Sequence, residues 1–179
     1  MSGTGLPGLR GIEHVGLTVP DLDEAIGFFC GVLGCEFVFD GGRFADRVTM
    51  RDRLAVSPEA SMRYCFLRCP RGPNLEIFEY EAPDQRRKVP RNSDVGGHHL
   101  AFYVDDVEAA LAHLKAHGVR LAGTPETITE GPAAGSTWVY FIAPWGLQLE
   151  LVSYPTGKGP EGGPARRLWN PAFPARWPD

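Results

Sequence analysis

Two histidines and two glutamates recur at matching places in two parts of the chain. His14 and His99 stand at the heads of two alternating segments, while Glu76 and Glu150 lie within NLEIFEY and LQLELVSY. Imidazole nitrogens and carboxylate oxygens are common ligands of divalent metal ions. Four such groups on one surface would be costly to desolvate unless a cation neutralised them. The pattern therefore predicts that the four converge on one divalent metal ion.

The four residues belong to an internal repeat. GIEHVGLTVPDLDEAIGFFCGVLGCEF, from Gly11, and GGHHLAFYVDDVEAALAHLKAHGVRL, from Gly96, share the order strand, acidic turn, helix, glycine and strand. Apolar and other residues alternate in both first strands, as they do in strands with one buried face. His14 aligns with His99 in this repeat. We expect His98 to point to the opposite face and to be structural.

A helix is predicted after each first strand. Asp21 and Asp105, each followed by a glutamate three residues later, indicate capping boxes. His113 and His117 lie off the apolar stripe of the second helix, which favours a solvated face over a metal clip. Each predicted helix has an apolar stripe, and a glycine after the stripe ends the helix. The two stripes with their glycines are Leu22, Ala25, Ile26, Phe29 and Leu33 before Gly34, and Val107, Ala110, Leu111 and Leu114 before Gly118.

Two hairpins complete the repeat, so both modules are predicted to have the order βαβββ. Period two places Glu76 and Glu150 on the strand face that points away from the helix. The resulting fold class is α+β. The predicted organisation is a flexible N-terminus at 1–9, a first module at 10–81, a linker at 82–95, a second module at 96–154 and a Pro/Gly-rich tail at 155–179.

Composition excludes several classes of function. The chain has 179 residues, 43% of them hydrophobic, and its net charge of -4 offers no basic surface for nucleic acid. It lacks an apolar run of membrane-spanning length, and MSGTGLPGLR lacks the apolar core of a signal peptide, so we expect a cytoplasmic protein with no membrane partner. The four cysteines form no C-x-x-C pair and are expected to be reduced thiols. These are Cys30, Cys35, Cys65 and Cys69.

The paired H-x-x-x-x-V strands, the helices ending in LG or HG and the final L-E-[IL] strands resemble the vicinal oxygen chelate superfamily. Its members include glyoxalase I, methylmalonyl-CoA epimerase, extradiol dioxygenases, fosfomycin and bleomycin resistance proteins, and valiolone-type cyclitol epimerases. The resemblance covers roughly residues 10 to 154. It implies a curved eight-stranded mixed sheet around one divalent metal (Ni, Co, Zn, Mn or Fe), usually in a homodimer. It also implies the four metal ligands His14, Glu76, His99 and Glu150.

The same resemblance narrows the function. Members that activate oxygen or transfer thiols use one carboxylate, whereas Glu76 adds a second here, and Thr18 and Tyr80 stand where glutathione contacts are usual in bacterial glyoxalase I. Proton transfer next to a carbonyl, through a metal-stabilised enediolate, fits two carboxylates related by a pseudo-twofold axis. We therefore predict a metal-dependent epimerase or isomerase with Glu76 and Glu150 catalytic. The alternatives are a glyoxalase I-like lyase, an Fe(II) extradiol-type dioxygenase and a metal-free small-molecule binding or resistance protein.

The substrate expected is small, with vicinal oxygens, such as a polyoxygenated or cyclic ketone. The predicted pocket positions are Thr18, Phe78, Tyr80, Tyr103 and Gln148, although Phe78 and Tyr80 equally suit packing inside the sheet. An insertion at 40–61 is predicted as a loop or short helix over the pocket, its arginines solvated rather than bound to an anionic substrate. These arginines are Arg43, Arg47, Arg51 and Arg53. In the tail, Leu168, Trp169, Phe173 and Trp177 are expected to anchor on this chain or a partner subunit.

Overall fold

The protein is described by a computed structural model that covers residues 6–157 and 168–172. Its first half contains, in chain order, β1 His14–Val19, α1 Leu22–Gly31, β2 Glu36–Phe44, α2 Arg47–Asp52, β3 Ser61–Arg68 and β4 Asn74–Glu81. The second half contains β5 Leu100–Tyr103, α3 Val107–Ala116, β6 Arg120–Thr127, β7 Thr137–Ile142 and β8 Gln148–Ser153. The eight predicted strands and the two predicted long helices are all present.

The strands form two four-stranded mixed sheets with the same topology. The orders are β1-β4-β3-β2 and β5-β8-β7-β6, and in both the first strand runs parallel to its neighbour while the other pairs are antiparallel. In the parallel pairs, Gly16 lies opposite Glu76 and Ala101 lies opposite Glu150. The predicted α+β class is confirmed, and the two glutamates hold equivalent places in their sheets.

Each sheet has one buried and one open face, as the period-two pattern predicts. In the first sheet the closed face is apolar and fully buried at Ile77, while the Glu76 side chain on the open face is 19% exposed. The second sheet repeats this with Leu149 and Glu150. The side chains of the two closed faces that are less than a tenth exposed include Leu17, Val19, Cys65, Leu67, Leu75, Ile77, Val139, Phe141, Leu149 and Leu151.

The helix starts differ in part from the prediction. The N-cap of α3 is Asp106, whose carboxylate accepts a hydrogen bond from the backbone N–H of Ala109 at 3.0 Å. The prediction of Asp105 was wrong by one position, because the cap must directly precede the first helical residue to reach the N–H three residues later. At α1 the backbone N–H of Leu22 donates to the Glu79 carboxylate of β4 at 2.9 Å. This long-range cap was not predicted.

Contacts divide the chain into two compact units, and α1 beyond Leu22 groups with the second. The Trp145 ring in the β7–β8 turn lies 5.7 Å from the rings of Phe28 and Phe29. The His113 Nε2–H donates to the carbonyl of Val32 at 2.8 Å, where the end of a helix leaves carbonyls without partners. His113 and His117 are exposed, as predicted.

The insertion contains the short helix α2, which fits the prediction of a loop or short helix. Its N-cap is Asp46, which accepts from the N–H of Thr49 at 2.8 Å. Met50 is fully buried in a cluster with Ala60 and Met62. Partly buried side chains pack against this cluster, namely Phe44, Leu54, Val56, Tyr64, Phe78, Tyr80 and Ala82. All four arginines of the insertion are exposed, which fits the expectation that they are solvated.

The remaining expectations from the sequence concern the state of the cysteines, the C-terminal tail and membrane-spanning helices. All four cysteines are thiols, as expected. In the tail, Leu168 and Trp169 are exposed, and Phe173 and Trp177 lie outside the described residues. Among residues 6–157 and 168–172, no helix is long and apolar enough to cross a membrane.

Candidate metal centre

The first unit brings His14 and Glu76 together on its open face. His14 begins β1, and Glu76 lies on the neighbouring parallel strand β4. The His14 Nε2 and the Glu76 carboxylate oxygen are 3.2 Å apart, and the Glu76 side chain is 19% exposed. The opposed Gly16 has no side chain on that face, and a Cβ there would lie 3.5 Å from the Phe78 ring.

The second unit repeats the pair with His99 and Glu150. The His99 Nε2 lies 2.9 Å from a Glu150 carboxylate oxygen, and the Glu150 side chain is 15% exposed. The small residue Ala101 stands opposite Glu150, as Gly16 does in the other unit. His98 is exposed, and its Nδ1 lies 3.0 Å from the carbonyl oxygen of Gly96. Of the two adjacent histidines, His99 is the one that contacts Glu150.

The donor atoms of both pairs suit a divalent ion. Two ligand atoms that each lie about 2.0–2.2 Å from one ion, at right angles, are about 3 Å apart. The separations of 3.2 and 2.9 Å match this requirement. Neutral imidazole and carboxylate are ligands typical of Zn, Mn, Fe, Co and Ni. Within the described part of the chain, no group of three or more His, Cys, Asp or Glu side chains is placed to hold a metal ion. Each His–Glu pair is therefore a candidate half-site with two donor groups.

The ring of His14 is oriented from behind by a neighbour that sequence reasoning missed. Its Nδ1 bonds to the Glu13 carboxylate, which in turn accepts from the Asn74 side-chain amide at 2.8 Å. The hydrogen bond to Glu13 raises the pKa of His14, although burial opposes it, and the charge of Glu76 adds to the rise. A carboxylate on the second ring nitrogen fixes the orientation of a ligating imidazole. Glu13 therefore leaves the Nε2 of His14 directed toward Glu76.

An aromatic ring completes each pair, again at equivalent positions. Phe66 lies opposite Glu76 on β3, and Tyr140 lies opposite Glu150 on β7. The Phe66 ring stands edge-on to His14 at 5.6 Å between centroids, and the Tyr140 ring stands edge-on to His99 at 5.2 Å. Both were missed, because they are found through strand register and not through the repeated motifs. At this position the two units differ by one phenolic hydroxyl.

The predicted pocket residues lie on the same open faces but not all are available to a substrate. Thr18 is exposed and pairs with Phe78. The Phe78 ring stacks on Tyr80 at 5.6 Å and both pack on the Met50 cluster, which matches the packing alternative. Burial raises the pKa of the Tyr80 phenol, with a further contribution from Glu76.

In the second unit, Tyr103 stands edge-on to Tyr154 at 5.0 Å. Gln148 is half-buried and pairs with Ile142 at the start of β8. Both side chains lie on the face of Glu150, as period two requires. Tyr140 is the aromatic residue of this face that contacts His99, and burial raises the pKa of its phenol with a further contribution from Glu150.

A tight turn that ends at Gly97 precedes His99, since the Gly97 N–H donates to the carbonyl of Asp94. A Cβ on Gly97 would lie 2.1 Å from the carbonyl oxygen of Arg91 and 2.8 Å from that of Asp94. We expect Gly97→Ala to open this turn, shift His99 and lower the free energy of unfolding by about 1–3 kcal/mol, as measured in urea. Gly27→Ala in α1, where a Cβ meets nothing within 4 Å, is the control. Equal stabilities of the two variants would contradict the assignment.

Comparison with known proteins adds independent information. Residues 13–141 match the family model described as "Glyoxalase/Bleomycin resistance protein/Dioxygenase superfamily". The chain is 51% identical over 172 residues to a 2-epi-5-epi-valiolone epimerase from Actinomyces sp, a match that covers 96% of this chain and 94% of that protein. It is 31% identical over 144 residues to the uncharacterized protein YaeR of Escherichia coli (strain K12), covering 80% and 96% of the two chains.

A solved structure agrees in fold. The crystal structure of a glyoxalase family protein from Bacillus cereus superimposes with a TM-score of 0.65 at 18% identity, covering 83% of this chain and 98% of that one. At this identity the likeness shows the fold alone. The resemblance stated from the sequence motifs is confirmed.

Proposed function

We propose a function for this chain from its membership of the glyoxalase/bleomycin resistance protein/dioxygenase superfamily. The proposed function is that of a metal-dependent epimerase. Its proposed substrate is a cyclic polyhydroxy ketone of the 2-epi-5-epi-valiolone type. The observation that carries the proposal is the pair of equivalent His–Glu half-sites, His14 with Glu76 and His99 with Glu150. The prediction of an enzyme of the epimerase or isomerase kind agrees with the 51% identical epimerase.

Two half-sites together supply four ligands, and the proposed ligands are His14, Glu76, His99 and Glu150. A divalent ion held by them would draw electron density from a substrate oxygen and so make the adjacent C–H more acidic. The His14 ring is held for this task by Glu13, as described above.

We also propose that the protein is a cytoplasmic homodimer. Sedimentation would then give a mass of about twice 19.6 kDa, whereas the mass of one chain would contradict the proposal.

The two glutamates have the proton chemistry that epimerisation requires. One carboxylate removes the proton from the carbon next to the ketone, and the conjugate acid of the other returns a proton to the opposite face of that carbon. Both side chains are more than four-fifths buried, so bulk water competes little with them for the proton. Their equivalent positions in two similar units make them the natural pair for opposite faces.

Metal content combined with isotope exchange tests the proposal. We expect near-stoichiometric metal by plasma mass spectrometry in wild type purified without a histidine tag, and its loss in His14→Ala and His99→Ala. The matched control is His113→Ala, since His113 is exposed and bonds to a backbone carbonyl. In D2O, wild type should exchange one C–H of 2-epi-5-epi-valiolone and invert that centre, as seen by NMR.

The other outcomes identify the alternatives. A wild type that takes up no metal even after reconstitution would contradict the proposal and indicate a small-molecule binding protein. Ferrous iron with oxygen uptake would indicate a dioxygenase, and turnover of a glutathione hemithioacetal would indicate a lyase. Exchange that survives in the metal-free His99→Ala variant would show that the His–Glu pairs are not the reactive centre.

Tyr140 is proposed to orient the substrate. The described residues provide no hydrogen-bond partner for its hydroxyl, which is carried by the ring that contacts His99. We expect Tyr140→Phe to lower kcat/KM about 10- to 100-fold, since it removes a hydrogen bond to a charge-bearing oxygen, with unchanged metal content. Tyr64→Phe, which removes a hydroxyl from the open face of the first unit, serves as control and should change kcat/KM less than about 3-fold. Equal losses in the two variants would contradict this role.

A further inference from the structure

Two of the four cysteines lie side by side at one end of the first sheet. Glu36 on β2 pairs with Arg68 on β3 in an antiparallel ladder, and their side chains form an ion pair. Cys35 directly precedes Glu36 and Cys69 directly follows Arg68, so the two cysteines occupy the next register position. Their Sγ atoms are 3.5 Å apart, and both are thiols. This juxtaposition is unrelated to the His–Glu pairs.

The other two cysteines provide an internal comparison. Cys65 is completely buried on the closed face of β3, and Cys30 lies on α1, where burial raises the pKa of its thiol. Cys69 is half-buried, whereas Cys35 is only 7% exposed. The hydrogen bond from Cys35 lowers the pKa of Cys69, although burial opposes it. Because the thiolate is the nucleophile, Cys69 is the member of the pair that reacts first.

We propose that Cys35 and Cys69 form a reversible disulfide, a modification site that reacts with hydrogen peroxide. The Cys69 thiolate attacks one peroxide oxygen, the O–O bond breaks, and the departing hydroxide takes up a proton to become water. The Cys35 thiol then loses its proton and attacks the Cys69 sulfur of the sulfenic acid, expelling a second water. Two thiols are oxidised while one peroxide is reduced to two waters, and an added dithiol reverses the reaction.

The backbone geometry suits this bond. Directly opposed residues of antiparallel strands have Cα atoms about 4.5–5.5 Å apart, which lies within the range of about 4.4–6.8 Å that a disulfide spans. The sulfurs therefore need only approach each other, without separation of the strands. The bond would close a loop that contains the whole of β2, α2 and β3, and would tie the edge strand β2 to its neighbour. A long closed loop lowers the entropy of the unfolded chain.

Intact mass and peptide mapping test the proposal on the full chain. Reduced protein treated with dilute hydrogen peroxide should lose two hydrogens in mass, yield one cross-linked peptide pair containing Cys35 and Cys69, and return to its original mass with dithiothreitol. The oxidised protein should melt at least about 5 °C higher. Cys30→Ser is the matched control and should form the same bond.

The variants Cys35→Ser and Cys69→Ser should not form the bond, and Cys35→Ser should retain oxygen on Cys69. Peptide mapping of the wild-type protein tests the proposal even if one of these variants fails to fold. A cross-link through Cys30 or Cys65, oxygen addition to wild type without a cross-link, or no reaction at all would overturn the proposal. None of these readouts depends on metal or turnover, so failure here is distinct from failure of the proposed epimerase activity.

Discussion

Replacement of Glu150 by glutamine is expected to lower epimerase turnover by about 10²–10⁴-fold, the size of effect that general acid–base groups contribute. Glutamine keeps the shape of the side chain but cannot carry the proton, and it is a poorer metal ligand than a carboxylate. The Glu150 carboxylate lies 2.9 Å from the His99 Nε2, and its side chain is 15% exposed. Inversion of the ketone followed by NMR in D2O measures the loss.

Glu76→Gln should give a loss of the same order, because Glu76 holds the equivalent place in the first unit. The matched control is Glu126→Gln, which alters an exposed glutamate on the edge strand β6. This control should retain wild-type turnover. If either active-site variant kept more than about a tenth of the wild-type rate, the assignment of that glutamate as acid or base would fail.

Replacement of Met50 by alanine is expected to lower the free energy of unfolding by about 2–5 kcal/mol, the usual cost of emptying a buried large side chain. Met50 is completely buried in the cluster that holds α2 on the first sheet. Urea denaturation followed by circular dichroism gives the change. Since Tyr64, Phe78 and Tyr80 pack against the same cluster, the variant should also disturb their stacking.

Val48 offers a matched control for that experiment. It lies on the same helix but is 57% exposed, so Val48→Ala should change the free energy of unfolding by less than about 0.5 kcal/mol. A similar loss in both variants would mean that α2 as a whole, and not the buried methionine, determines the effect. A loss in neither would show that the insertion does not contribute to the folded state of the first unit.

Much of the strand and helix pattern was predictable because it depends on short-range periodicity. Alternation located the open and closed faces, and the repeat singled out His99, the histidine that contacts Glu150. The glycines after both helices were also identified, and Gly34 and Gly118 adopt the left-handed conformation with φ of 76° and 68°. These features are local in sequence, so a single chain reveals them.

What was missed depends on which strands become neighbours. Phe66 and Tyr140 acquire their places through the register of antiparallel strands, which no motif encodes. The same holds for the cap that Glu79 provides to α1, 57 positions away. Likewise, the contact of Trp145 with Phe28 requires knowledge of which helix covers the β7–β8 turn. Such long-range pairs follow from tertiary structure and not from propensity.

The difference between Phe66 and Tyr140 has a consequence for chirality. Two identical His–Glu pairs would not distinguish the two ends of a substrate. The hydroxyl of Tyr140 next to His99, and the bare hydrocarbon of Phe66 next to His14, make the surroundings of the two pairs chemically different. In the proposed epimerisation, an asymmetric ring would therefore keep one orientation, and a single stereocentre would change while its neighbours keep their configuration.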